Sequence, residues 1–246
     1  MKILEVACGN LASVVAASQG GADRIELCAA LGAGGITPSF GFIDAARSIT
    51  ELPVYVMIRP REGDFLYDKA EIGSMVADVL MCRRSGVPGI VFGALTAEGE
   101  IDLEVCRRIM DAAGSMQVTF HRAFDLSKDP YASLEALCSL GVHRLLTSGQ
   151  APSAPLGSLL IKELVRVAKD RISIMAGAGV RPGNVEKLIK ETGVNEIHLS
   201  GKQRVAGGML FRRDHLAMGS DASQEYSLEI TDKAQIHAIR AVIDRT

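Results

Sequence analysis

Short apolar runs rich in β-branched residues alternate with longer segments of helical periodicity along the whole chain. Eight such runs occur, at residues 3–7, 24–28, 54–59, 89–93, 117–121, 144–148, 172–177 and 196–200. Their starts lie about 20 to 35 residues apart, which is the length of one strand–loop–helix unit. The pattern therefore predicts eight strands, each followed by a crossover segment.

Helices are predicted between these runs. The clearest covers 68–85, where an apolar stripe that includes Ile72 and Val79 ends at Gly86. The others are predicted at 102–113, 127–140, 156–168 and 182–192, the last with Pro182 in its first turn, and a closing helix is predicted from about Thr231.

Eight strand–helix units in 246 residues predict an α/β fold, a single-domain (β/α)8 TIM-type barrel over residues 1–246. Functional groups of such barrels lie on the loops after the strands. A doubly wound sheet is the alternative, but residues 8–11 read Cys-Gly-Asn-Leu and lack its glycine fingerprint. After the eighth strand, 201–227 is predicted to be a long irregular loop, a feature that is usually functional.

Composition narrows the classes of function. With 48% hydrophobic residues the chain can build a large core, and a net charge of −2 gives no field that attracts nucleic acid or an anionic membrane. The five cysteines form no CxxC pair, which is typical of a reducing compartment. No signal peptide and no apolar run of membrane length is visible. We expect a cytoplasmic protein with no nucleic-acid or membrane partner.

Polar residues gather where the predicted strands meet their loops. Glu26, His121 and Asp125 are candidate catalytic acid–base residues, and Arg59 and Arg122 are candidates for holding an anion. The same strand ends carry further candidate substrate-binding residues: Arg61, Ser148, His198 and Ser200. The alternative interpretation is a buried lattice of salt bridges that closes the barrel.

A second signal lies after the seventh strand. Residues 175–180, Met-Ala-Gly-Ala-Gly-Val, lead towards a predicted helix, and Gly177 and Gly179 let backbone N–H groups approach an anion. Barrels of this class commonly bind phosphate here. The alternative is that these glycines serve only tight turns.

Cysteine suggests a metal. Cys28 could meet His121 or His198 inside the barrel, and a thiolate with imidazole favours Cu(I) or Zn²⁺. The alternative is that Cys28 is a small buried hydrophobic residue.

Several long motifs resemble the CutC family: GADRIELC at 21–28, GGITPS at 34–39, MIRPREGDF at 57–65, TFHRAFD at 119–125 and LTSG at 146–149. The resemblance spans nearly the whole chain. It implies a cytosolic TIM barrel that forms homo-oligomers and is associated with copper homeostasis and copper binding. The residues that carry over from the family are Glu26, Arg59, Arg61, His121, Arg122, Asp125 and Ser148.

The chain departs from that family at one position. Many relatives have a cysteine two residues after the first-strand glutamate, where this chain has Ala7. If Glu5 faces the barrel mouth, strand alternation turns Ala7 inward and Cys8 away. A Cu(I) site at Cys28 would then lack its second thiolate. Two functions stay open: a copper-handling protein, or an enzyme that acts on a small anionic, phosphorylated or similar, substrate.

Overall fold

The computed structural model describes residues 2–213, 215, 216, 218 and 225–246. Eight parallel strands form a closed barrel in sequence order, β1 through β8, as the apolar runs predict. Their bounds are β1 Ile3–Cys8, β2 Arg24–Leu27, β3 Val54–Met57, β4 Gly89–Phe92, β5 Gln117–Phe120, β6 Arg144–Thr147, β7 Ser173–Ala176 and β8 Glu196–Leu199.

Helices follow the strands and surround the barrel. They are α1 Leu11–Gly20, α2 Phe40–Ser48, α3 Lys69–Arg84, α4 Leu103–Ala113, α5 Pro130–Ser139, α6 Ser158–Ala168, α7 Val185–Thr192 and α8 Lys233–Ile243. Short 3-10 turns occupy Leu31–Ala33 and Arg122–Leu126. In the described part of the chain, no helix is both long and apolar enough to cross a membrane.

Local sequence sets the helix ends. Asp68 and Glu71 form a capping box at the start of α3, because each side chain accepts the other's backbone N–H. At the starts of α1 and α4, the side chains of Asn10 and Asp102 each accept one backbone N–H of the first turn. Gly21 ends α1 in the left-handed region at φ 93°, a conformation that glycine adopts without strain.

Two predictions about the last third of the chain are wrong. Residues 201–227 are not simply a loop, because β9 Lys202–Ala206 pairs with β10 Ser227–Thr231 as an antiparallel ribbon beside the barrel. Every residue of β9 is exposed or half-buried, so it lacks the alternating apolar positions that identify a strand in a sequence.

The start of the seventh helix also differs. α7 begins at Val185 and not at Pro182, since the Asn184 side chain accepts the N–H of Arg181 at 2.9 Å and closes a separate turn first.

The core divides into two parts. The larger lies between the barrel and the helices and contains Cys8 at 0% exposure. The smaller lies inside the barrel and contains Cys28, Tyr55, Met57 and Val91. The barrel interior also holds buried charged residues, among them Glu5, Arg24, Glu26, Arg144 and Glu196, so the chemistry of this protein lies along the barrel axis.

Candidate functional site

A layer of paired charges lies deep in the barrel. Arg24 donates to Glu5 and, at 2.5 Å, to Glu196, which also accepts from Arg144 at 2.5 Å. The guanidinium of Arg24 lies 5.0 Å from the centre of the Tyr55 ring. Burial alone would raise the pKa of Glu5, but Arg24 and His198 outweigh it and lower that pKa to about 2. We name Arg24, Arg144, Glu5 and Glu196 the paired layer. It is a lattice of salt bridges, but it lies deep in the barrel, whereas the alternative interpretation of the sequence placed such a lattice at the barrel mouth.

Above the paired layer, a cavity of about 690 Å³ opens at the carboxyl ends of the strands. We call it the mouth cavity. Its wall includes most of the predicted site residues: Glu26, Arg59, His121, Arg122, Asp125, Gly179, His198 and Ser200. The wall does not include four others: Cys28, Arg61, Ser148 and Gly177.

Glu26 and His198 meet at the floor of the mouth cavity. His198 bonds through Nδ1 to Glu5 Oε1 at 2.8 Å, and its Nε2 lies 3.7 Å from Glu26 Oε2. Glu26 is 3% exposed, and its Oε1 has no hydrogen-bond partner among the described residues. Burial raises the pKa of Glu26 to about 7, although His198 opposes this. Burial opposes protonation of His198, but Glu26 and Glu5 outweigh it and raise its pKa.

His121 is a neutral hydrogen-bond donor. Its Nδ1 accepts the N–H of Ala123 at 3.1 Å, so the ring hydrogen lies on Nε2. That Nε2 is buried, and it finds no partner in the part of the chain that the structure describes. Burial, and next the charge of Arg59, lower the pKa of His121 to about 3. The geometry therefore favours a donor role over the predicted role as a proton carrier.

Arg59 shapes the wall of the cavity. Its guanidinium donates to the carbonyl oxygens of Ala33 and Gly35 at 3.0 Å and of Gly63 at 2.8 Å, and lies 4.9 Å from the centre of the Phe65 ring. Three of its donors therefore tie two loops together. Its buried Nε has no hydrogen-bond partner within the described ranges, and Arg59 also interacts with the Tyr67 side chain.

Asp125 organises a neighbouring loop. Its carboxylate accepts from Arg122 at 2.7 Å, from the Thr147 hydroxyl at 2.5 Å and from the backbone N–H groups of Ser148 and Gln150. These contacts involve both carboxylate oxygens, so Asp125 and the fully buried Ser148 hold this loop together.

Arg61 points away from the mouth cavity. It pairs with Glu71 at 2.5 Å and with Asp64 at 3.1 Å, and it lies over the Tyr67 ring. Strand alternation cannot foresee this, because Arg61 lies beyond the end of β3, where the period-two rule no longer applies.

The loop after β7 supplies free backbone donors. The N–H groups of Ala178, Gly179 and Val180 donate no hydrogen bond within the described residues, and all three residues line the cavity. Next to them Arg181 also lines the cavity, is exposed and has no ion pair in the described part of the molecule. Sequence reasoning missed Arg181, although its place directly after the glycine-rich loop was a usable signal.

Gly177 has a packing role beneath this loop. A Cβ on Gly177 would lie 2.6 Å from Leu146 Cδ1 and 3.3 Å from His198 Cβ. A side chain there would displace the end of Leu146 and press on His198, so Gly177 lets these neighbours pack closely behind the cavity wall.

The predicted thiolate copper site does not fit these residues. Cys28 is fully buried behind the wall, and burial, with the Glu26 charge next, raises the pKa of its thiol. Cys8 lies on the other side of the sheet, in the outer core, while Ala7 lines the cavity. A Cu(I) ion at Cys28 would therefore have no second thiolate and no open path to the cavity.

The chain matches the model of the CutC family over residues 2–203. A CutC family protein of Chromobacterium violaceum is 46% identical over 99% of both chains. The human relative, named copper homeostasis protein cutC homolog, is 45% identical over 98% of this chain and 88% of its own. A crystal structure of a CutC protein from Streptococcus agalactiae superimposes with a TM-score of 0.78 at 34% identity, covering 81% of this chain and 99% of that one.

Proposed function

This chain belongs to the CutC family, and from that premise we propose that its mouth cavity is the active site of an enzyme for a small anionic substrate. One observation carries the proposal: two buried polar atoms that have no hydrogen-bond partner among the described residues, Glu26 Oε1 and His121 Nε2, belong to side chains that line the same cavity. The first is an acceptor and the second a donor.

Unpartnered buried groups are costly to keep. Each one costs about 1–3 kcal/mol of stability, so a fold retains them where something else compensates. A ligand that accepts from His121 and donates to Glu26 would satisfy both. Sites of this kind are where enzymes accept a loss of stability in return for function.

The other end of the cavity suits an anion. The N–H groups of Ala178, Gly179 and Val180 donate to no other described residue, and these residues line the cavity next to the positive charge of Arg181. A phosphate or carboxylate group fits this end because such groups accept several hydrogen bonds at once.

The two ends together define the chemistry we propose. The carboxylate of Glu26 accepts a proton from the substrate, and the neutral imidazole of His121 donates a hydrogen bond to the oxygen on which negative charge develops. This combination suits proton transfer next to a carbonyl group. Ser200 and His198 line the same wall and would orient the substrate.

A thermal-shift panel of small phosphorylated and carboxylated metabolites tests the proposal. A ligand present at 100 times its Kd should raise the melting temperature by roughly 5–10 °C. Arg181→Ala and His121→Gln should abolish the shift, whereas Arg166→Ala, which removes an exposed arginine from α6, should preserve it. A panel without any shift, or a shift that survives both cavity substitutions, would overturn the proposal.

Copper handling is the second candidate, favoured by the names of the human and mouse relatives. Since the thiols do not fit a Cu(I) site, we propose that any part in copper homeostasis runs through the reaction at the cavity. An anaerobic Cu(I) competition titration of wild type and Cys28→Ser should show equal background binding. Stoichiometric binding that Cys28→Ser abolishes would instead establish a thiolate site.

A further inference from the structure

We propose that His198 and Glu26 also form a binding site for a divalent transition-metal ion such as Zn²⁺, with Glu5 as a positioning residue behind His198. The proposal rests on the same cavity as the proposed function and adds a metal to it. Ligand atoms of Glu5, Glu26 and His198 all lie within 4.8 Å of one another.

The imidazole of His198 is oriented as in a metal site. Its Nδ1 bonds to Glu5 Oε1 at 2.8 Å, which fixes the ring and leaves Nε2 on the side of Glu26. Histidine ligands in proteins usually have a carboxylate partner on the second nitrogen, because it fixes the tautomer and makes the ligand nitrogen more basic. Glu5 in turn is held by Arg24, so the ring cannot turn easily.

Glu26 supplies the second ligand. Its Oε2 lies 3.7 Å from His198 Nε2, close to the ~3.4 Å that separates two ligands of a tetrahedral zinc ion. Independently, its Oε1 is buried and has no hydrogen-bond partner among the described residues. Burying a carboxylate oxygen without a donor is unfavourable, and a cation bound by His198 and by both carboxylate oxygens of Glu26 would remove that penalty.

The donor types select the class of metal. One imidazole nitrogen and one carboxylate favour Zn²⁺ or a similar divalent ion over Mg²⁺, which prefers oxygen ligands, and over Cu(I), which prefers sulfur. Both side chains line the mouth cavity, so the remaining coordination positions face bound water or substrate. Catalytic zinc sites keep a coordination position open for water or substrate, whereas structural sites are filled by four protein ligands.

Calorimetry with ZnCl₂ and visible spectroscopy with Co²⁺, both on chelator-treated protein, test the site. We expect one ion per chain and a Co²⁺ d–d band. His198→Gln and Glu26→Gln should each weaken binding at least tenfold, and Glu5→Gln about 10- to 100-fold with a shifted Co²⁺ spectrum. His237→Gln and Glu104→Gln, exposed residues of α8 and α4, are the matched controls and should bind as wild type.

The outcomes separate this proposal from the preceding one. No Zn²⁺ binding and no Co²⁺ band in wild type would overturn the metal site. Wild-type affinity for Zn²⁺ in both His198→Gln and Glu26→Gln would overturn it too. The wild-type Co²⁺ spectrum decides the matter if the variants do not fold. The metabolite panel is repeated with Zn²⁺ and with a chelator. If the protein binds metal but no metabolite raises the melting temperature, the metal site is upheld and the proposed enzyme is not. If a metabolite raises the melting temperature in the presence of chelator and the protein binds no metal, the proposed enzyme is upheld and the metal site is not.

Discussion

The two layers inside this barrel differ in how completely their buried charged groups are paired. In the paired layer, Arg24 and Arg144 alternate with Glu5 and Glu196, and each charged group has a partner. In the mouth cavity, Glu26 keeps a buried oxygen without a partner among the described residues. Glu26 and His198 come from β2 and β8, as do Arg24 and Glu196, and all four are buried, so burial alone does not distinguish the two layers.

The difference separates structure from function. Complete pairing stabilises a polar barrel interior and leaves nothing for a ligand to satisfy. Incomplete pairing costs stability and provides donors and acceptors for a substrate. Glutamates and basic side chains occur in both layers, so residue type does not identify the site. The buried atoms that lack a hydrogen-bond partner identify it.

The largest expected effect comes from breaking the paired layer. Arg24→Met should destabilise the protein by about 3–5 kcal/mol, since Glu5 and Glu196 would lose a buried partner. Arg171→Met, which breaks an exposed pair with Glu135, is the control and should change stability by less than about 1 kcal/mol. Urea denaturation measures both, and equal effects would mean that the paired layer has no special structural role.

A medium effect should follow from His121, whose pKa of about 3 in the folded protein lies below its ordinary 6.5. The unfolded chain binds the proton more readily, so the stability that neutral His121 provides is complete above pH 6.5 and is lost as the pH falls towards 3. Between pH 7 and 5 the loss is about 2 kcal/mol.

Urea denaturation of wild type and His121→Gln at both pH values measures this loss. Wild type should lose free energy of unfolding relative to His121→Gln between pH 7 and pH 5, because only wild type carries the titrating imidazole. A difference that is the same at pH 7 and pH 5 would show that His121 is not held neutral in the mouth cavity.

The smallest effect has the opposite sign. Burial raises the pKa of Glu26 to about 7. The stability that protonated Glu26 provides is therefore complete below pH 4.5 and is lost as the pH rises through 7. Glu26→Gln should therefore be more stable than wild type at pH 6, by about 1.5 kcal/mol, and similar to it at pH 4.5. Melting curves at the two pH values check this, and a loss of stability at pH 6 would place Glu26 with the paired layer.

Most of the fold could be predicted from the sequence. All eight strands lie within one or two residues of the predicted runs, because buried parallel strands are continuous apolar segments. The ribbon of β9 and β10 could not be predicted, since β9 is largely exposed and its partner strand lies about twenty residues further along the chain. Its pairing depends on contacts that no local pattern encodes.

The positions of some site residues could be predicted from the sequence, and those of others could not. Strand alternation foresaw that Ala7 lines the cavity and that Cys8 faces the outer core. It could not show that Arg61 turns outward, or that Cys28 lies behind the wall, because loop paths and neighbouring side chains decide those positions.

The sequence by itself determined the barrel, its strand ends and which residue types gather there, because hydrophobic period and turn chemistry are local properties. Only the tertiary structure decided which of those charges are paired and which are left for a ligand. Pairing depends on distances of a few ångströms between strands far apart in the chain, such as the 3.7 Å between Glu26 and His198. That geometry exists only once the barrel has closed.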